Sequence, residues 1–379
     1  MKKKYPLFEI YWDEKDIESV SNIIKRGSYW ATGPEIQDFE MKLGNYLNVK
    51  YVASFNSGTS ALHSILLAYN ITSGEVIVPS MSFISTANCV ILAGATPVFA
   101  EIESESLGLD PEDVEKKIND KTKAIIPMHY GGKICKNIEE LREIADDHNL
   151  ILIEDNAESF GAKIENQFAG TIGHAGMFSF CQNKIISTGE GGAICTNDKS
   201  IYEKLLLIRS HGRVEKPGTN YFSNINEMDY IQIGYNYWMP TMCAALGISQ
   251  LKKIDKIIEL RRKIGEYYNE HLKKIREVQI LPELNGFRTV YQLYSLKLKN
   301  PDNRKDLQNY LFEKGIYTKI YFYLIHLKSF YLNKFGFERG SLPITEEISN
   351  KILSLPISLK FTPEDQDYII NNIEAFFNS

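Results

Sequence analysis

The chain has 379 residues, 48 of them acidic and 43 Lys or Arg, a formal net charge of -5 and 44% hydrophobic residues. That is enough chain for one large domain or two unequal ones, each with a buried core. The mild acidity and the lack of a long basic run exclude nucleic acid as the expected partner. No run of about 18 apolar residues offers a membrane span.

The basic start, Met1 to Tyr5, is followed by Asp13 and Glu14 before any apolar stretch, so it does not read as a signal peptide. The cysteines (Cys89, Cys135, Cys181, Cys195, Cys243) are odd in number, widely spaced and without a C-x-x-C pair. They read as reduced thiols in a cytoplasmic protein with no structural metal.

In chain order, residues 13–26 and 35–46 predict two amphipathic helices, a helical segment over 1–48 ahead of the first strand. Val52-Ala53-Ser54 is strand-like, and Ser57-Gly58-Thr59-Ser60-Ala61-Leu62 is a glycine turn that opens a helix. Apolar runs at 73–79, 96–100, 123–128, 150–155, 176–180 and 192–196 predict buried strands, separated by helical patterns such as Asn137 to His148. Such alternation implies βαβ units and an α/β fold, with a mostly parallel sheet sandwiched by helices. Pro240 to about His271 predicts one long helix with proline in its first turn. Beyond 276 the pattern changes to strands at 290–298 and 316–323, with helices near 303–314, 345–353 and 363–377. The expected division is a large α/β domain over 1–255 and a smaller C-terminal α+β domain over 256–379.

Ligands of parallel sheets bind beyond the carboxyl ends of the strands. Three polar features fall at such places. Gly58 lets backbone approach an anion, the amides of Gly58, Thr59 and Ser60 can point at it, and the Thr59 hydroxyl adds a donor. Asp155 ends the apolar run Ile151-Leu152-Ile153-Glu154. Beside a pyridine nitrogen, such a carboxylate keeps that nitrogen charged. Lys184 follows Phe178-Ser179-Phe180 and precedes Gly189-Glu190-Gly191-Gly192. Desolvation there would free its amine for imine chemistry. Ser179 alternates with the two phenylalanines and faces away from them, toward a phosphate. Phe83 follows a strand and is placed either to stack on a ring or to pack in the core. Lysine, carboxylate and helix-start anion site are the three contacts that pyridoxal phosphate needs.

These residues resemble the DegT/DnrJ/EryC1/StrS family of sugar aminotransferases, pyridoxal-phosphate enzymes of fold type I. The likeness runs from Trp30-Ala31-Thr32-Gly33-Pro34 through the motifs above to Gly234-Tyr235-Asn236-Tyr237, His326 and Leu353-Ser354-Leu355-Pro356. The resemblance implies that Lys184 is the covalent lysine and proton shuttle, and that Asp155 is the pyridinium partner. Glu158 would border the ring near its phenolic oxygen, with Phe83 stacked on the ring. Gly58, Thr59 and Ser179 would hold the phosphate. Asn236 would reach the partner's phosphate in a homodimer with shared active sites. Trp30, Thr32 and His326 would contact substrate. Asn183-Lys184 and Thr188-Gly189-Glu190-Gly191-Gly192 look like the group, including perosamine synthases, that aminates C4 of a 4-keto-6-deoxy nucleotide sugar with L-glutamate as donor. Amination at C3 and a non-catalytic regulator that binds the cofactor are the alternatives. Trp238 stands where the family often has a basic residue.

Overall fold

The computed structural model describes residues 3–214, 229–281 and 283–378. Its helices are α1 (Glu14–Arg26), α2 (Pro34–Leu47), α3 (Gly58–Ala68), α4 (Ser85–Ala93), α5 (Pro111–Lys117), α6 (Ile138–Asp147), α7 (Lys199–Ile208), α8 (Thr241–Leu251), α9 (Ile254–Leu272), α10 (Asn303–Glu313), α11 (Ser329–Phe335), α12 (Pro343–Lys351) and α13 (Pro363–Asn378). Its strands are β1 (Tyr51–Phe55), β2 (Glu75–Pro79), β3 (Thr96–Ala100), β4 (Thr122–Ile125), β5 (Ile151–Asp155), β6 (Lys163–Ile164), β7 (Gln167–Phe168), β8 (Ala175–Ser179), β9 (Gly192–Thr196), β10 (Val278–Ile280), β11 (Phe287–Arg288), β12 (Tyr294–Leu298) and β13 (Ile352–Leu355).

The main sheet has seven strands in the order β1-β9-β8-β5-β4-β2-β3. β9 runs antiparallel to both its neighbours, and the other pairs are parallel. The sheet is buried on both faces, which is why its strands read as continuous apolar runs. Successive residues enter opposite cores. Ile77, Leu152 and Phe178 join α2, α6, α8 and the first turn of α9 on one side. Val76, Val78, Ile153 and Met177 join α3, α4 and α7 on the other. This is the mostly parallel, helix-sandwiched α/β fold expected from the sequence. No helix among the described residues is long and apolar enough to cross a membrane.

A further core gathers Tyr5 with Ile264, Tyr268, Leu296, Leu353 and Ile369 around the β10-β12-β13 sheet. Helix α9 joins this core to the one on the α2 side of the main sheet, through Ile264, Tyr268 and Leu272 here and Ile254, Ile257 and Ile258 there. The position 255/256 therefore falls in its first turn.

Two elements differ from the sequence reading. The expected helix from Pro240 to His271 is two helices, broken at Lys252-Lys253. No Gly or Pro marks the break, and the apolar stripe continues through it with Leu251 and Ile254 in one core. At the break, Lys253 Nζ joins Asp13 at 2.9 Å and Asp16 at 2.6 Å, the capping residues of α1. Residues 316–323 are not a strand. Ile316 bridges Tyr5 and Lys319 bridges Ser354, so the segment meets two different neighbours at isolated points and forms no ladder.

One buried ion pair ties the N-terminal helices to the sheet. Arg209 bonds the Glu40 carboxylate and the Ser54 carbonyl, and Glu40 also accepts from the Ser54 amide and hydroxyl. Removing one partner of such a pair typically costs about 3–5 kcal/mol, because the other charge stays buried. Arg209→Met is therefore expected to lower unfolding free energy by roughly that amount, with Glu40→Leu/Arg209→Met losing less. Denaturant titration of both variants measures it. A loss below about 1 kcal/mol in the single variant would mean that the pair is solvated.

Candidate active site

The carboxyl end of β8 meets the start of α3, that of β5 meets the start of α4, and the polar residues cluster there. Neighbours on β5 face opposite ways. Glu154 turns to one side and accepts from the amides of Gly170 (2.8 Å), Ile172 (2.8 Å) and Gly173 (2.6 Å). It also takes His129 Nε2–H at 2.9 Å, because the Cys135 amide donates to His129 Nδ1 and leaves the proton on Nε2. This fully bonded acid fixes the strand end.

Asp155 turns to the other side, 4% exposed. It accepts from Thr86 Oγ1 at 2.8 Å and from the Ala157 amide at 3.1 Å. Ser82 in turn donates to Thr86, their hydroxyls 2.6 Å apart. Burial pushes the Asp155 carboxyl above the ordinary aspartate range, against the Ala157 amide, the Thr86 hydroxyl and the Lys184 charge. A cation placed beside it would restore its ionised form.

Glu158, one turn on, is 3% exposed. Its Oε2 accepts from the Gly131 amide at 2.9 Å, whereas Oε1 is buried without a hydrogen-bond partner. Lys184 Nζ stands 3.8 Å from that Oε1. Burial raises the Glu158 carboxyl above its usual range, Lys184 and the Gly131 amide oppose this, and the Asp155 charge adds to it. Phe178 and Phe180 turn into the core against Phe160, with ring centroids 5.2 and 5.6 Å away. The charged neighbour of the amine is thus an acid.

The start of α3 supplies the anion site. Ser57 and Ser60 form a capping box that uses the Ser60 amide. The Gly58 and Thr59 amides of the first turn have no carbonyl within the helix. A Cβ on Gly58 would lie 3.0 Å from Ser179 Cβ and 3.3 Å from Ser179 Oγ. A Cβ on Gly192 would lie 2.5 Å from the Ser57 carbonyl oxygen and 2.6 Å from the Gly58 nitrogen. Both glycines are needed for close approach, and Ser179 stands on the α3 side of β8. The Thr59 hydroxyl is 2.8 Å from that of Ser85. An open helix start, a buried acid with raised pKa and an orphaned carboxylate oxygen facing a lysine fit pyridoxal phosphate.

The remaining residues are placed variously. Phe83 is 60% exposed between β2 and α4, one turn before Thr86. Asn236 is exposed, and its carbonyl accepts from Asn56 Nδ2 at 3.3 Å, next to the Ser57 cap. Trp30 donates from Nε1 to the Ile23 carbonyl at 3.1 Å, and its own carbonyl takes the Thr241 amide at 3.0 Å. Thr32 Oγ1 is buried without a partner. His326 is not available to a substrate. It is fully buried, with Nδ1 2.6 Å from Ser80 Oγ and Nε2 3.2 Å from Glu346. It holds the segment after β2 from within. Trp238 lies under two guanidinium groups, Arg209 at 4.8 Å and Arg213 at 5.9 Å from its ring centroid.

Sequence reasoning missed Thr86, Tyr130 and Tyr321. Thr86 had a signal, since Ser82 and Thr86 lie four residues apart at the entry to a helix. Tyr130 and Tyr321 flank Glu158 through the fold, and each phenol is raised by burial and by that carboxylate.

A model of the DegT/DnrJ/EryC1/StrS aminotransferase family matches residues 11–374. The chain is 34% identical over 377 residues to GDP-perosamine synthase of Escherichia coli O157:H7, covering 99% of each. It is 32% identical over 368 residues, 96% of each, to dTDP-3-amino-3,6-dideoxy-alpha-D-galactopyranose transaminase of Aneurinibacillus thermoaerophilus. It superposes on the Helicobacter pylori aminotransferase PseC, which is involved in pseudoaminic acid biosynthesis. The TM-score is 0.91 at 29% identity, with 99% of this chain and 100% of that one covered. With its lysine, acids and helix start gathered at the carboxyl ends of central strands, the chain belongs to the DegT/DnrJ/EryC1/StrS aminotransferase family.

Proposed function

We propose that this enzyme is a pyridoxal-phosphate-dependent aminotransferase that takes an amino group from L-glutamate and delivers it to C4 of a 4-keto-6-deoxyhexose carried on a nucleotide, for glycan assembly. The observation that carries the reading is the gathering of Lys184, Asp155 and Glu158 beside the open start of α3. Bound there, pyridoxal phosphate supplies an electron sink. Asp155 keeps the ring nitrogen protonated, since a buried carboxylate stabilises a neighbouring cation. The Gly58 and Thr59 amides and the Thr59 and Ser179 hydroxyls hold the phosphate. Phe83 covers the ring face, and Trp30 and Thr32 border the substrate. Lys184 Nζ carries a proton to and from the substrate carbon in each half of the reaction.

The Asn183-Lys184 pair and the Thr188-Gly189-Glu190-Gly191-Gly192 turn favour C4, and the name of the Escherichia coli relative supports it. The relative named for a 3-amino sugar supports C3 amination as the second reading. The test is incubation with glutamate and UDP-, GDP- and dTDP-linked 3-keto and 4-keto sugars, with products identified by mass spectrometry and NMR. A product aminated only at C3 overturns the C4 assignment.

Borohydride reduction of the loaded enzyme, followed by peptide mapping, is expected to place the label on Lys184. A label on another lysine refutes the assignment. Lys184→Ala is expected to abolish transamination.

Asp155→Asn is expected to keep the fold and lower turnover by a factor of about 100–1,000, or about 2.7–4 kcal/mol, the usual loss when one electrostatic stabiliser is removed. Steady-state kinetics beside a thermal melt checks this, and near-normal turnover would show that another group serves the ring nitrogen.

The reading includes a homodimer in which Asn236 of each subunit reaches the other's phosphate. Mixing Lys184→Ala with Asn236→Ala subunits then gives heterodimers with one site carrying both lesions and the other carrying neither. Partial recovery of activity is expected. Demonstrated subunit exchange without recovery excludes the shared site.

A further inference from the structure

Glu158 Oε1 is buried without a hydrogen-bond partner, and the lysine it faces, Lys184, is itself largely enclosed. A buried carboxylate in that state is stabilised either by the cation or by a proton. The cation is the amine that has to act as a nucleophile, and an ammonium cannot. Its proton has to leave before nitrogen can form a bond to a carbonyl carbon.

We propose that Glu158 is the base that takes the proton from Lys184 when the amine is committed to covalent chemistry, and the acid that returns it when the amine is released. The step is balanced. The Nζ–H bond breaks, its electron pair stays on nitrogen, and the proton bonds to Oε1. An ammonium and a carboxylate become a neutral amine and a neutral carboxylic acid, so the net charge of the pair stays at zero. Among the other groups that face Glu158, the Asp155 charge favours the same direction and the two phenols are neutral. Asp155 from β5, Tyr130 from the loop after β4 and Tyr321 from the 316–323 segment present one carboxylate and two phenols, and none of them offers a cation. Glu158 is itself held in place by the Gly131 amide on Oε2, which leaves Oε1 as the oxygen that receives the proton. Burial already pushes this carboxyl toward its protonated form.

The inference rests on the reading of Lys184 as the covalent lysine, and the test separates the two. Apo-enzyme is mixed with pyridoxal phosphate, and covalent capture is followed by absorbance and by borohydride-trapped label on Lys184, without turnover. Wild type, Glu158→Gln and Glu158→Asp are compared from pH 6 to 10, with thermal melts to show that each is folded. Positioned proton transfer commonly contributes about 100- to 10,000-fold. Glu158→Gln is therefore expected to capture the cofactor on Lys184 at least about 100-fold more slowly near neutral pH. The deficit should shrink as pH rises and solvent base takes over, and Glu158→Asp should recover part of the rate. Calorimetry in two buffers of different ionisation heat gives a second readout. Wild type should release about one proton fewer per site on loading than Glu158→Gln, because Glu158 retains it. Equal capture rates across the pH range, or equal proton release, overturn the role of Glu158 while leaving Lys184 labelled. Absence of label on Lys184 in wild type overturns the underlying reading instead. If Glu158→Gln does not fold, Glu158→Asp and the wild-type proton count decide.

Discussion

Two acids are buried beside one lysine at the end of a central strand, and the rest of the site follows from that arrangement. An isolated buried carboxylate costs several kcal/mol. Glu154, one residue before Asp155, shows how the fold answers that cost when the acid is structural. Three backbone amides and a histidine N–H meet it. Asp155 and Glu158 receive less. Asp155 has one hydroxyl and one amide, and Glu158 has one amide and an oxygen facing Lys184. Such incompletely answered charges concentrate at sites that bind or react, because the missing partner is supplied by a ligand or a mobile proton.

Strand alternation makes the contrast possible. Because β5 is buried on both faces, consecutive residues Glu154 and Asp155 enter two different environments without any change in backbone. The first locks the 170–173 turn against the strand. The second is left facing α4, where Thr86 in the first helical turn meets it. A rigid acid and a poised acid thus come from one strand end.

How far the sequence was legible follows from which interactions are local. The helix start at Gly58, the strand-ending Asp155 and the lysine ahead of a glycine turn are each written in a few adjacent residues, and the alternating apolar runs gave the sheet. Tyr130 and Tyr321 were not legible as neighbours of Glu158, because both lie far from it along the chain, 191 positions from each other, and only the tertiary fold places the three together. His326 illustrates the opposite error. A histidine in a recognisable motif says nothing of which way its ring faces, and here both nitrogens are spent on Ser80 and Glu346 inside the protein. The break between α8 and α9 was hidden for a similar reason. One apolar stripe serves both helices, and the residue at the break earns its place through ion pairs with α1, more than two hundred positions away.

A single loop positions both the amine and the anion site. It leaves β8 at Ser179, carries Lys184 and returns into β9 at Gly192. Its base is pinned where the Phe180 amide bonds the Gly191 carbonyl and the Thr188 amide bonds the Phe180 carbonyl, each at 2.9 Å. Gln292 reaches from the segment before β12 to the Asn183 carbonyl and holds the tip. Ser179 at one end and Gly192 at the other both press on the start of α3, so the helix amides and Lys184 Nζ share one frame. Antiparallel β9 is what brings the loop back. A parallel return would start β9 at the opposite end of the sheet and would carry Gly192 away from Ser57. The one antiparallel strand in the sheet is therefore the topological feature that keeps the reactive nitrogen and the anion site in register.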